Sequence, residues 1–153
     1  MSDPRLAVTR GCLCGAIGYR SDAPPLRGAY CHCSICRRSY GGLFGVFLRF
    51  GPTLRFLQGA PASYRSSGFG ERGFCADCGS GLTFRYDGNP DAWVTVGSLD
   101  HPEQWPLTPD ADWGPSRHVE TDSRVPWHLP ADGLPQAPGD ALAALKDAAR
   151  RHP

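Results

Sequence analysis

The 153-residue sequence has no long apolar run, no surplus of either charge and no internal repeat. No stretch approaches the ~20 apolar residues that a bilayer-spanning helix needs, which argues against a membrane protein. Sixteen Lys and Arg stand against fifteen Asp and Glu, for a formal charge of +1, and the basic residues are scattered. Nucleic acid and anionic membrane surfaces are attracted by clustered positive charge, so neither is favoured as a partner. The opening residues MSDPRLAVTRG carry charges and a proline where a secretory signal has an apolar segment, so a cytoplasmic location is expected. Disulfides are rare in that reducing compartment, and an odd number of cysteines cannot all pair.

What the chain does have is turn residues and cysteines. Its 19 Gly and 15 Pro are spread along the whole length and predict many short strands with little helix. Nine β-type runs are separated by Gly or Pro: 5–9, 16–20, 26–32, 43–50, 54–57, 62–65, 72–75, 82–86 and 93–96. Strands this short and this regularly spaced predict an antiparallel, mainly β domain. From Pro102 to Pro138 prolines recur every few residues among Trp105, Trp113 and Trp127. That segment is expected to run irregularly over the domain, pinned by its large aromatics. The one helix expected is C-terminal, with Asp140 as its cap, Leu142, Leu145 and Ala149 on one stripe, and Arg150 and Arg151 at its end. It would dock on the domain or mediate a homodimer.

The seven cysteines fall into three groups: Cys12 and Cys14 in GCLCG, Cys31, Cys33 and Cys36 in CHCSIC, and Cys75 and Cys78 in CADCG. Residues i and i+2 of an extended chain point to the same side, so C-x-C can chelate one ion, and a C-x-x-C turn brings two sulfurs together. Gly15 and Gly79 follow the second cysteine in the outer groups, where they allow a sharp turn after the ligand. These two groups together supply four thiolates, a coordinatively full structural zinc site. The middle group supplies three, which leaves a fourth position open. Other pairings of the groups remain open on spacing alone. So do His32, His118 or His128 as a fourth ligand to the middle site, metal-free redox thiols, and disulfides. Arg37 and Arg38, beside the middle group, would bind substrate carboxylates or offset the charge of the thiolates. Ser34 reads as a turn residue, and Tyr40, Phe44, Phe69 and Trp127 are candidate pocket walls.

The motifs GCLCGAIGY, YCHCSICRRSYGG, SYRSSGFGERGFCADCGSGLTF, VTVGSLD and RHVETDSRVPWHLPADGLP occur in this order between Val8 and Pro135. The chain thereby resembles the glutathione-dependent formaldehyde-activating enzyme (GFA) family, which includes relatives of centromere protein V. The resemblance implies a zinc-stapled Mss4-like fold of small, coiled antiparallel sheets over 8–135, which leaves 136–153 as a tail with the short helix read from its own residues. It implies two zinc ions per chain, a structural one on Cys12, Cys14, Cys75 and Cys78 and an exposed one on Cys31, Cys33 and Cys36. His101, after GSLD, departs from the acidic or small residues common in relatives. The activity implied is that of a carbon–sulfur lyase or synthase joining glutathione and formaldehyde as S-hydroxymethylglutathione. Cys31, Cys33 and Cys36 would hold the catalytic zinc, with Arg37 as a substrate or charge partner. The rival expectation is a non-enzymatic glutathione carrier or a zinc-stabilised interaction module.

Overall fold

The structure, a computed structural model, describes residues 8–139, and the C-terminal helix expected from Asp140 onward lies outside them. Ten strands are formed: β1 (Val8–Gly11), β2 (Gly18–Ser21), β3 (Arg27–Cys31), β4 (Gly45–Phe50), β5 (Leu54–Gln58), β6 (Ala62–Ser67), β7 (Gly70–Phe74), β8 (Gly81–Tyr86), β9 (Ala92–Thr95) and β10 (Ser116–Val119). They make a three-stranded sheet in the order β1-β2-β5 and a seven-stranded sheet in the order β10-β3-β4-β9-β8-β7-β6. The mainly β, antiparallel expectation holds for every pair except β3 with β10, which run parallel.

Central strand β4 explains how the large sheet comes to bury both faces. Its sequence GVFLRF is apolar at adjacent positions, which a strand covered on one side only would not need. Leu48 and Phe50 are fully buried and join Leu82 and Val94 in the main core. Tyr19 and Leu54 enter that core from the small sheet, so the larger share of apolar burial lies between the two sheets. Phe47, on the opposite face of β4, packs with Cys33, Cys36, Tyr40 and Trp93 in a second cluster.

Two elements differ from the sequence reading. Ser34, read as a turn residue, opens α1 (Ser34–Tyr40) and is buried. The Cys33 sulfur caps this helix by accepting the Cys36 N–H at 3.3 Å, and Gly41, at φ 67°, closes it with its N–H on the Arg37 carbonyl. Thiol capping is not among the usual sequence signals for a helix start, and a seven-residue helix is too short to show periodicity. The second difference is β10, inside the proline-rich segment. Residues 116–125 are proline-free, so their N–H groups remain available for a ladder. Elsewhere the segment is irregular as expected, and Trp105, buried edge-on against Trp113, anchors it.

Candidate metal centres

The first cluster is built from two turns of the same form. In one, the Cys12 N–H reaches the Ile17 carbonyl at 3.1 Å and the Gly15 N–H reaches the Cys12 carbonyl at 3.1 Å. In the other, the Cys75 N–H reaches the Ser80 carbonyl at 2.9 Å and the Gly79 N–H reaches the Cys75 carbonyl at 2.8 Å. Gly15 and Gly79 have φ of 79° and 77°, a region that side chains disfavour, which is why glycine follows the second cysteine in each. The turns join β1 to β2 and β7 to β8, so they belong to different sheets. They bring the sulfurs of Cys12, Cys14, Cys75 and Cys78 within 4.8 Å of one another. The Cys12–Cys14 and Cys14–Cys75 sulfurs are 3.5 and 3.8 Å apart. Sulfurs at ~2.3 Å around a tetrahedral zinc are about 3.8 Å apart, so this donor set fits such an ion. The Ile17 N–H at 3.2 Å from the Cys12 sulfur and the Ser80 hydroxyl at 3.1 Å from the Cys78 sulfur are donors suited to thiolate. The Ser80 side chain and backbone pull the Cys78 thiol down to about 6.

The second cluster stands at the end of β3. Cys31 is its last residue, Cys33 caps α1 and Cys36 lies in the first turn of α1. Their sulfurs lie within 4.8 Å of one another, and among the described residues no histidine or carboxylate completes the group. Gly45 faces Cys31 across the ladder, and a Cβ there would meet the Phe47 ring at 2.4 Å. Only glycine lets Phe47 pack this tightly behind the cysteines.

The Cys33 and Cys36 thiols and burial hold Cys31 well above the ordinary thiol range. Cys36 is pulled down by Cys31, but Cys33 and burial outweigh this and push it up to about 11. Three thiols packed together, two of them buried, resist joint ionisation and suit a cation, whose binding would drive their protons off.

The histidines turn away from these sulfurs. His32, between Cys31 and Cys33, is buried, and its Nε2 lies 2.8 Å from Nδ1 of His118. His118 Nε2 in turn lies 2.9 Å from an Asp132 carboxylate oxygen. A carboxylate only accepts, so His118 donates from Nε2, and its Nδ1 accepts from His32 Nε2–H. Burial opposes ionisation of Asp132, but the Leu134 N–H and His118 outweigh it and hold the carboxyl below its usual range. Burial, then the neighbouring His118, Arg124, His128 and Arg37, push His32 down to about 4. His128 packs against Phe44, 5.6 Å between ring centroids.

Arg37 is also engaged elsewhere. One of its terminal nitrogens donates to the carbonyls of His32, at 2.8 Å, and Ser123, which ties α1 to the C-terminal segment. Arg38 is exposed. The cation at the sulfurs is instead Arg72 of β7, missed in the sequence because its partner Cys36 is 36 residues away. Arg72 is 5% exposed, with Nη2 at 3.5 Å from the Cys36 sulfur and Nη1 at 2.9 Å from the Tyr40 hydroxyl. Its guanidinium lies over the Tyr40 and Phe84 rings, 5.0 and 4.9 Å from their centroids. Burial disfavours its charge, but Cys36 and Tyr40 outweigh this and raise its pKa. The buried Nε–H has no hydrogen-bond partner among the described residues.

All three cysteines and Arg72 line one cleft. Of the expected walls, Phe69 lines it, Tyr40 stands behind Arg72, Phe44 packs on Tyr30 and His32, and Trp127 is 74% exposed. Phe84 and Trp93, paired across β8 and β9, complete a wall the sequence reading did not assemble.

Fold and sites thus define a small, mainly β protein with two cysteine clusters able to hold metal ions, one of them opening on a cleft. The chain belongs to the glutathione-dependent formaldehyde-activating enzyme family, whose pattern matches residues 7–115. A Schizosaccharomyces pombe protein named as an uncharacterized lyase is 34% identical over 92 residues, which cover 56% of this chain and 66% of that protein. A crystal structure of a Rhodobacter sphaeroides protein aligns with a TM-score of 0.47 at 21% identity, over 71% of this chain and 98% of that one. Among the described residues no helix is long and apolar enough to cross a membrane.

Proposed function

We propose that this protein is a zinc-dependent carbon–sulfur lyase or synthase that makes and breaks small thiol–aldehyde adducts, of the kind glutathione forms with formaldehyde. Cys12, Cys14, Cys75 and Cys78 hold a structural zinc, and Cys31, Cys33 and Cys36 hold a second. The observation that carries the reading is the opening of three sulfurs, rather than four, onto a cleft beside a buried arginine with an unused N–H. Zinc held by three sulfurs supplies an open position that stabilises a substrate thiolate.

In the forming direction the substrate thiol loses its proton, its sulfur bonds to the aldehyde carbon, the carbonyl π bond opens, and the oxygen takes up a proton. The lyase direction reverses each change. Arg72 fixes the charge of Cys36 through Nη2, and the hydrogens of its guanidinium not already engaged are the donors for the adduct oxygen. The apolar walls hold sulfur and carbon together and exclude water, so proximity supplies much of the gain.

The test is spectroscopic. In cobalt-substituted protein, glutathione at millimolar concentration should change the thiolate charge-transfer absorption, and S-methylglutathione should change it far less, because a thioether carries no charge. The response should disappear in Cys33→Ser. Spectra unmoved by any thiol would remove thiol ligation and favour an interaction module, for which exposed Trp127 and Leu129 provide an apolar surface.

A further inference from the structure

The cleft at the three cysteines is poor in charge. Arg72 is the one charged side chain in its lining, and no lysine and no carboxylate joins it. The rest of its surface is mainly Ile35, Phe47, Phe69, Phe84, Tyr86 and Trp93. Phe84 meets Tyr86 edge-on at 4.7 Å and Phe69 stacks on Tyr86 at 5.9 Å, so the aromatic wall is continuous and braced.

Glutathione at neutral pH brings two carboxylates and an ammonium. Each group drawn into this cleft would lose water and need a partner of opposite sign. Two of the three guanidinium nitrogens of Arg72 are already directed at Cys36 and Tyr40, and Arg37 is bound to two backbone carbonyls. What remains is the unpartnered Nε–H and one further hydrogen on each terminal nitrogen, all on a single cation, so the lining holds no group for the ammonium and no second cation for the other carboxylate. The free energy of binding must come from burial of apolar surface against the aromatic wall.

We infer that the preferred occupant is a small thiol, or its aldehyde adduct, whose carbon skeleton is aromatic or branched aliphatic and carries no charged group. The inference rests on the thiol reading above and narrows it to apolar thiols. The sulfur meets the three-cysteine centre, the skeleton lies on Phe69, Phe84 and Trp93, and the adduct oxygen accepts from the Arg72 guanidinium.

Full-length cobalt-substituted protein titrated with phenylmethanethiol, glutathione and 2-mercaptoethanol tests this. Phenylmethanethiol should half-saturate the charge-transfer change at a concentration at least tenfold below either of the others. Phe69→Ser, a partly buried position in the turn between β6 and β7, should narrow the ratio to glutathione severalfold, with a thermal melt to check that the fold is kept. Glutathione binding as tightly as phenylmethanethiol would overturn the apolar preference and leave the thiol reading intact. If no thiol moves the cobalt bands, the thiol reading fails, and phenylmethanol decides the cleft separately through the Trp93 indole signal in NMR spectra. A shift of that signal, weakened in Phe69→Ser, would uphold apolar recognition, and its absence would end it.

Discussion

Arg72 and His32 show how single residues can matter at a site without being ligands. Removal of the Arg72 guanidinium would leave the Cys36 thiolate without its buried cation and the Tyr40 hydroxyl without its donor. Arg72→Met should therefore weaken metal at the three-cysteine site by roughly tenfold, the scale on which residues behind metal ligands act. Competition with a chelator checks this, and the four-cysteine site should keep its affinity. His32 should remain neutral far below the usual imidazole range. Its folded value is about 4 against 6.5 for a free imidazole, so the unfolded chain binds the proton first. Its contribution is whole above pH 6.5 and is lost as pH falls toward 4. Ring signals of neutral imidazole should persist to pH 5 in NMR spectra, and His32→Asn should flatten the decline of stability over that window. The cysteine groups were legible because each lies within six residues. Arg72 was not, because its meeting with Cys36 is created by the position of β7 in the sheet.

Nine of the ten strands were foreshadowed by β-type runs between turn residues, because a Gly or Pro stands somewhere between each of those runs and the next. The tenth, β10, lay among prolines, and its pairing partner β3 is more than eighty residues away. Helix α1 was hidden for a different reason: its cap is a cysteine already assigned to metal. The β3–β4 pair carries a packing constraint that follows from neither. Gly45 has space for no side chain, since a Cβ would stand 2.4 Å from Phe47 and 3.3 Å from the Cys36 Cβ. Gly45→Ala should destabilise the fold by about 2 kcal/mol, a melting temperature lower by roughly 5 °C, as overpacked positions do. A thermal melt measures it. Gly88→Ala, where a Cβ meets no atom within 4 Å, is the comparison for backbone strain alone, since φ there is 69°.

At the scale of the whole molecule, the four-cysteine cluster spans the two sheets and the three-cysteine cluster does not. Cys12 and Cys14 stand between strands of the small sheet, Cys75 and Cys78 between strands of the large one. With zinc in the proposed structural site, Cys75→Ser should abolish the cooperative melt or leave the protein aggregated. Cys33→Ser should keep a cooperative melt and reduce metal content by elemental analysis from about two ions per chain to one. Equal damage in the two variants would mean that the clusters share one structural task.

The two clusters also differ in how far apart their cysteines lie along the chain. Cys31, Cys33 and Cys36 are close neighbours even in an unfolded chain, whereas Cys14 and Cys75 meet only across 61 residues. The short group can therefore capture metal before any sheet exists, and will hold some of it after the sheets are lost. A ligand that binds folded and unfolded chains alike adds little to stability. Free zinc should thus raise the melting temperature almost wholly through the distant group. Synthesis imposes the same order: CHCSIC is complete some forty residues before Cys78 is added.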